Sequence, residues 1–208
     1  VSGIFVTFEG VEGCGKSTQV KRLHERLTER GHTVLVTREP GGTPIAEAIR
    51  NVLLDPANEA MAPVAELLLY EAARAQHVAE RIRPALDANA VVICDRFADS
   101  TSAYQGAGRA LPDQMLSAMH HVATGGTWPD LTIVLDVPIE EGLTRAMKVD
   151  APDRLEQEPI AFHQRVRDSF LALAKQEPNR IKVIDGMQTE EAVAEAINAL
   201  VDPLLVTT

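Results

Sequence analysis

Five short apolar runs recur along the chain, at residues 4–8, 33–37, 91–94, 131–136 and 181–184, with helical periodicity filling the gaps between them. The runs are nearly continuous in apolar residues rather than alternating with polar ones, which is the signature of strands covered on both faces. Strands of that kind separated by helices predict a parallel sheet in a three-layer α/β arrangement, with ligands received beyond the C-terminal ends of the strands. The first helix is predicted over 17–29, with Gly31 as its terminating glycine. A long helix is predicted over about 64–83, with Pro84 near its end. Thr189 is a natural cap for an amphipathic C-terminal helix whose first turn carries Glu190 and Glu191. No repeat, low-complexity tract or linker interrupts the alternation, so one domain over residues 1–208 is predicted.

Composition narrows the partners more than the fold. Hydrophobic residues make up 45% of the 208, and no run approaches the ~20 apolar residues of a membrane span, nor does a charged-then-apolar leader precede the first strand. The expectation is a soluble, cytoplasmic protein. A net charge of −10 and the absence of a basic stretch argue against a nucleic-acid-binding surface. Two cysteines, Cys14 and Cys94, are too few for a disulfide framework and show no metal-ligand spacing, so they read as small buried thiols.

The chemistry concentrates after the first run. Gly10 and Gly15 frame four residues and are followed by Lys16 and Ser17, in the order strand, glycine-rich loop, helix. This is the phosphate-binding loop of nucleoside triphosphate enzymes. Gly10, Gly13 and Gly15 free the backbone so that successive N–H groups can cradle an anion, and the N-terminus of the following helix adds partial positive charge. The stretch Glu12 to Thr18, including Cys14, is therefore read as the triphosphate cradle. Lys16 is expected to reach the β- and γ-phosphates and Ser17 to ligate Mg²⁺. The bland alternative, a solvated turn, does not account for the strand before it and the helix after it.

Weaker signals lie downstream. Thr43-Pro44 caps a helix that carries Arg50 between apolar neighbours. Tyr70 and Arg74 are spaced i, i+4 and share a helix face, where a ring and a guanidinium suit a flat hydrogen-bonding ligand. On spacing alone, a tyrosine packed under a surface arginine explains the pair as well. Asp95-Arg96 ends the third run as a Walker B strand does, aiming a carboxylate at a magnesium shell. Residues 100–109 form a polar stretch that reads as a loop. Residues 142–158 mix Arg145, Lys148 and Arg154 with acids around Pro152, and read either as a lid over the phosphates or as a solvated connector.

Taken together, these stretches resemble bacterial thymidylate kinases over nearly the whole chain. The resemblance rests on Phe8-Glu-Gly-Val-Glu-Gly-Cys-Gly-Lys-Ser-Thr18, Thr37-Arg-Glu-Pro-Gly-Gly-Thr43, Ala72-Ala-Arg-Ala-Gln76, Asp95-Arg96, Ala103-Tyr-Gln-Gly106 and Asp153-Arg-Leu-Glu-Gln157. It implies a P-loop kinase fold with a five-stranded parallel sheet, transfer of phosphate from ATP to dTMP with Mg²⁺, and a homodimer. It implies a thymine stacked on Tyr70 and hydrogen-bonded by Arg74, with Ser100, Thr101 and Gln105 lining base and sugar and Tyr104 beneath the deoxyribose. Arg50 and Arg96 would hold the acceptor phosphate, Glu12 the sugar 3′-hydroxyl, and Asp95 and Glu39 would lie near the metal or its waters. The lid departs from the family pattern: Met147 and Val149 stand where the family has arginines, Arg145 and Arg154 match, and Lys148 lies between the two lost positions. The expectation is that Arg145 makes the main transition-state contact while Lys148 and Arg154 close on the phosphates. A kinase for another nucleoside monophosphate and a non-catalytic nucleotide switch are the alternatives; the paired arginines Arg50 and Arg96 speak against the switch.

Overall fold

The computed structural model describes residues 3–147 and 153–206. Strand β1 (Ile4–Glu9) leads through the glycine-rich loop into α1 (Lys16–Glu29), and β2 (Val34–Arg38) is followed by α2 (Pro44–Leu54). Then come α3 (Pro63–His77), a π-helical turn over Val78–Ile82, α4 (Arg83–Asp87) and β3 (Val91–Asp95). After β3 lie α5 (Ala98–Thr101), a π-helical stretch over Ser102–Gly108 and α6 (Asp113–Thr124). The chain closes with β4 (Leu131–Asp136), α7 (Ile139–Ala146), α8 (Ile160–Gln176), β5 (Ile181–Asp185) and α9 (Glu190–Val206). Each expected strand forms within one residue of its expected ends.

All four strand pairings are parallel, in the order β2-β3-β1-β4-β5. The central β1 is buried at every position, whereas the edge strands β2 and β5 are partly exposed. Side chains alternate across β1, so Ile4, Val6 and Phe8 enter a large core shared with Val20, Leu23 and Leu27 of α1 and Val193, Ile197 and Val201 of α9. Phe5 enters a smaller core with Val78, Ile82 and Phe97. Each such side chain taken out of water contributes about 1.5–3 kcal/mol, which is what holds the helices to the sheet. Because β1 connects toward β2 and β3 toward β4, the two neighbouring strands β1 and β3 send their connections in opposite directions. The resulting crevice lies beyond their paired C-terminal ends, where Phe8 stands opposite Asp95.

Local signals held where side chains cap helices. The Thr43 hydroxyl accepts from the Ala46 N–H at 3.2 Å, Thr189 does the same for Ala192 at 3.2 Å, and Gly31 adopts φ +86° just after α1. Two expectations are corrected. The long helix runs past 83: α3 continues through a π-helical turn over Val78–Ile82 into α4, which ends at Asp87 with Pro84 in its first turn, so the proline is near the helix end without being its stop. Residues 100–109 are not a surface loop but mostly helix, with Ala103, Tyr104, Gln105 and Gly106 buried. Gly106 and Gly108 allow it, since a Cβ at either would press on Leu116 or Phe162.

Candidate active site

The glycine-rich loop has the backbone that its composition requires. Gly10, Gly13 and Gly15 sit at φ +132°, +66° and +95°, where L side chains are strained. Gly13 is also fixed by space, since a Cβ there would strike the carbonyl of Gly142 on α7. The loop is thereby pressed backbone to backbone against the helix that carries Arg145. No side chain caps α1, so its first N–H groups are not satisfied by a residue of the chain's own cap. Lys16 is buried and curls over the loop, donating to the carbonyls of Gly10 and Val11 at 3.2 and 3.0 Å and approaching Cys14 Sγ at 3.4 Å.

Two clefts open on either side of Glu12. The first is a phosphate cleft lined by Gly13, Cys14, Gly15, Lys16, Ser17, Arg38 and Asp95. The second is lined by Tyr70 and Arg74 of α3, by Phe97, and by Ser100, Thr101, Tyr104 and Gln105 on the helical stretch after β3. Glu12, Glu39, Arg50, Arg96 and Glu156 line both, so the clefts share one wall. A third opening, on the other flank of the loop, gathers Gly13, Cys14, Gly15, Ser17 and Thr18 with Arg145, Gly186, Gln188 and Thr189.

Arg96 is the centre of that shared wall. It is a non-glycine residue held at φ +68°, a conformation costing on the order of 1–3 kcal/mol and concentrated at functional positions. Its N–H is pinned to the Phe8 carbonyl at 2.9 Å. Nη1 donates to Gly10 O and Ser100 Oγ at 3.0 and 3.1 Å, Nη2 to Glu12 Oε1 at 3.0 Å, and the guanidinium lies 5.1 Å from the Tyr104 ring centre. The Tyr104 hydroxyl donates to the same Glu12 oxygen at 2.6 Å. Burial pushes the Glu12 carboxyl up, but Arg96, Lys16 and Tyr104 outweigh it and hold it below the usual carboxylate range.

Arg50 is held more lightly. Nη1 donates to the Pro40 carbonyl at 2.9 Å, and no carboxylate pairs with it among the described residues. Burial, with Arg38 repelling it, lowers its pKa. An arginine in that state is ready for an anion. Arg74 is the opposite case. It is 1% exposed and donates from Nε to Glu39 at 2.8 Å and from Nη2 to Phe97 O and Thr101 Oγ1 at 3.1 and 2.9 Å. Nη1 lies 2.8 Å from Glu71 as an ion pair without an aligned hydrogen bond. Burial opposes its charge, yet Glu39 and Glu71 raise its pKa further. Both Glu39 oxygens are engaged, by Arg74 and by His77 Nδ1 at 2.9 Å, while the residue lines the phosphate cleft beside Ser17 and Asp95.

The lid residues divide. Arg145 is half-buried, donates to Glu141 at 2.7 Å and faces the opening beside the loop. Lys148 lies outside the described residues. Arg154 is not brought to the phosphates: it is 6% exposed, pairs with the fully buried Glu66 at 2.6 Å and donates to Leu53 O at 2.8 Å. Leu155 beside it is buried too, so Arg154 and Leu155 belong to the core, while Asp153 and Glu156 on either side of them line the acceptor cleft. The reason is Glu66, which also receives Gln105 at 2.8 Å and Arg109 at 3.1 and 3.2 Å; a carboxylate buried this deeply recruits every cation in reach.

Sequence reasoning missed four acids. Nothing in the spacing around Glu66, inside the helix predicted over about 64–83, marks it. Glu9 looked like the end of a strand, yet it is fully buried and accepts from Phe97 N, Ser100 N and Ser100 Oγ, which places Ser100. Burial, with the Asp99 charge added, pushes the Glu9 carboxyl up to about 7. Glu71 anchors Arg74 and receives His120 at 2.8 Å. Glu156 lines all three openings, and burial raises its carboxyl. Glu156 was within reach of inference, since it lies in the Asp153-Arg-Leu-Glu motif; so was the 186–189 wall, which follows a strand's C-terminal end.

Comparison with known proteins agrees with this geometry. A family model for thymidylate kinase matches residues 8–197. The thymidylate kinase of Geotalea uraniireducens is 54% identical over 205 residues, covering 96% of each chain. That of Geobacter sulfurreducens is 55% identical over 201 residues, covering 94% of each. The crystal structure of thymidylate kinase from Ehrlichia chaffeensis matches with a TM-score of 0.79 at 33% identity, covering 96% of this chain and 100% of that one.

Proposed function

The chain belongs to the thymidylate kinase family and phosphorylates dTMP to dTDP, and from that premise we propose that ATP with Mg²⁺ supplies the phosphoryl group and which residues do the work. The observation that carries the assignment of roles is the shared wall. A cleft for a base and sugar and a cleft for phosphates meet at Arg50, Arg96 and Glu12, so an acceptor phosphate seated between the two arginines faces the loop that holds the donor. Lys16 and the loop N–H groups hold the β- and γ-phosphates. Arg145, on a helix locked against Gly13, supplies the donor for charge that develops in transfer. Tyr70 and Arg74 frame the base; of the three guanidinium nitrogens of Arg74, Nη1 is left without an aligned hydrogen bond. Ser100, Thr101 and Gln105 line the sugar, and Tyr104 lies beneath it. Lys148 closes from the lid.

The residues fit a magnesium ion. Ser17 and Asp95 line the same phosphate cleft, and a hydroxyl, one carboxylate and nucleotide oxygens form the hard-oxygen donor set that Mg²⁺ takes. Bound there, the ion would neutralise triphosphate charge; positioning and the remaining stabilisation fall to the chain.

Residues 1–208 act as a single domain in this reading, working in the cytoplasm. Among the described residues no helix is long and apolar enough to cross a membrane. A homodimer is supported by exposed apolar side chains at helical spacing on three neighbouring helices: Val52 on α2, Val64 and Leu68 on α3, Met115 and Val122 on α6. A coupled assay of all nucleoside monophosphates with ATP tests the reading. dTMP should be preferred, with dUMP weaker by the roughly 1–3 kcal/mol that one methyl contact supplies. Equal or faster turnover of AMP, CMP or GMP would overturn it.

A further inference from the structure

Three buried polar atoms at the shared wall have no hydrogen-bond partner among the described residues: Glu12 Oε2 and both ring nitrogens of His163. Of the two ring nitrogens, Nδ1 of His163 lies 3.8 Å from Glu12 Oε2. His163 is 0% exposed on the first turn of α8. Its neighbour Phe162 stands edge-on to the Tyr104 ring at 6.2 Å, and Tyr104 holds the other Glu12 oxygen. Burying an imidazole and a carboxylate oxygen side by side without partners is costly, so the arrangement is built for the two to meet. The remaining gap is within a small rotation of either side chain, or the reach of one bridging water.

We infer that His163 is a positioning residue for the acceptor half of the site, acting through Glu12. Its Nδ1–H holds Oε2 while Arg96 and Tyr104 hold Oε1, which fixes the carboxylate and, through it, the Nη2 side of Arg96. The effect falls on dTMP more than on ATP, because Glu12, Arg96 and Tyr104 line the acceptor cleft and none of them lines the loop flank that carries Arg145. α8 follows directly on the segment 153–158, so the same contact joins the lid stem to the loop.

This inference rests on the dTMP kinase reading, and the test separates the two. Steady-state kinetics are measured on His163→Phe, His163→Asn, Glu12→Gln and the double variant Glu12→Gln/His163→Phe. Asparagine places an amide nitrogen near the Nδ1 position and phenylalanine does not. His163→Phe should lower kcat/KM for dTMP about tenfold or more, the scale of a lost hydrogen bond to a charged group, with KM for ATP nearly unchanged. His163→Asn should recover most of that loss. In the Glu12→Gln background, His163→Phe should add little further loss, the mark of two residues acting as a unit. Multiplying losses, an asparagine variant as poor as phenylalanine, or an equal rise in KM for ATP would each overturn it. A second measurement needs neither substrate nor a folded phenylalanine variant. The His163 imidazole ¹⁵N resonances of the nucleotide-free protein should shift in Glu12→Gln, and unmoved resonances would overturn the inference. Failure of the wild-type protein to prefer dTMP would instead strike at the parent reading.

Discussion

The cations of the two clefts are held in opposite ways. On the phosphate side, Lys16 rests on the carbonyls of Gly10 and Val11, and Arg50 on that of Pro40. On the floor of the acceptor cleft and beneath the lid stem, Arg74 and Arg154 are clamped by the buried carboxylates Glu39, Glu71 and Glu66. A carbonyl contact leaves a full positive charge uncompensated, so an arriving phosphate finds it available. A buried carboxylate neutralises the charge, and what remains is a rigid frame. Arg96 stands between the classes, one edge on Glu12 and the other on a carbonyl and a hydroxyl.

The comparison predicts that cations held by carbonyls, or by a half-exposed carboxylate as Arg145 is by Glu141, fail in activity, and those clamped by buried carboxylates fail in stability. The largest effect should come from Lys16→Ala, which removes the charge on the triphosphate and should reduce kcat by about a thousandfold or more with an unchanged melting temperature. A parallel loss of stability would show that the lysine also holds the loop together. Arg154→Met should do the reverse and destabilise the fold by about 3–5 kcal/mol, because Glu66 keeps its buried charge with one partner fewer. Chemical denaturation measures this. An unaltered midpoint with a large loss of kcat would mean that Arg154 leaves Glu66 for the phosphates during turnover.

Glu9 sharpens the contrast from the carboxylate side. Its folded pKa of about 7 lies above the ordinary 4.5, so the folded state binds the extra proton between those values. Its contribution to stability is therefore fully present below about pH 4.5 and lost as pH rises through 7. Glu9→Gln should gain on the wild type across that window, by up to about 3 kcal/mol at neutral pH. Parallel stability–pH curves for the two proteins would refute the shift. Arg145→Met should lower kcat and kcat/KM together by roughly a hundredfold, since the role proposed for its charge is in the transition state alone. A rise in KM for ATP at constant kcat would reduce it to a ground-state contact. The smallest effect is expected for Arg50→Ala, an increase in KM for dTMP of about tenfold with kcat and stability little changed, as for one of two phosphate-binding donors.

Some of this was written in the chain in a form that needs no third dimension. The strands formed where apolar residues run together, since burial of both faces of a parallel sheet demands it. The glycine-rich loop formed where Gly10, Gly13 and Gly15 permit positive φ, and the caps where Thr43 and Thr189 offer a hydroxyl. Because these causes act over a few residues, their positions are legible in order along the sequence. The long-range pairings were not. Glu66 lies 88 residues from Arg154, and its role follows from being fully buried beside it. Nothing in the spacing of residues 100–109 announced a buried π-helical stretch, whose formation depends on Leu116 and Phe162 packing over glycines. Sequence alone determined which residues carry charge near the site. Which of those charges are free for a ligand depends on which buried acid lies within 3 Å, and the packing of helices over the sheet decides that.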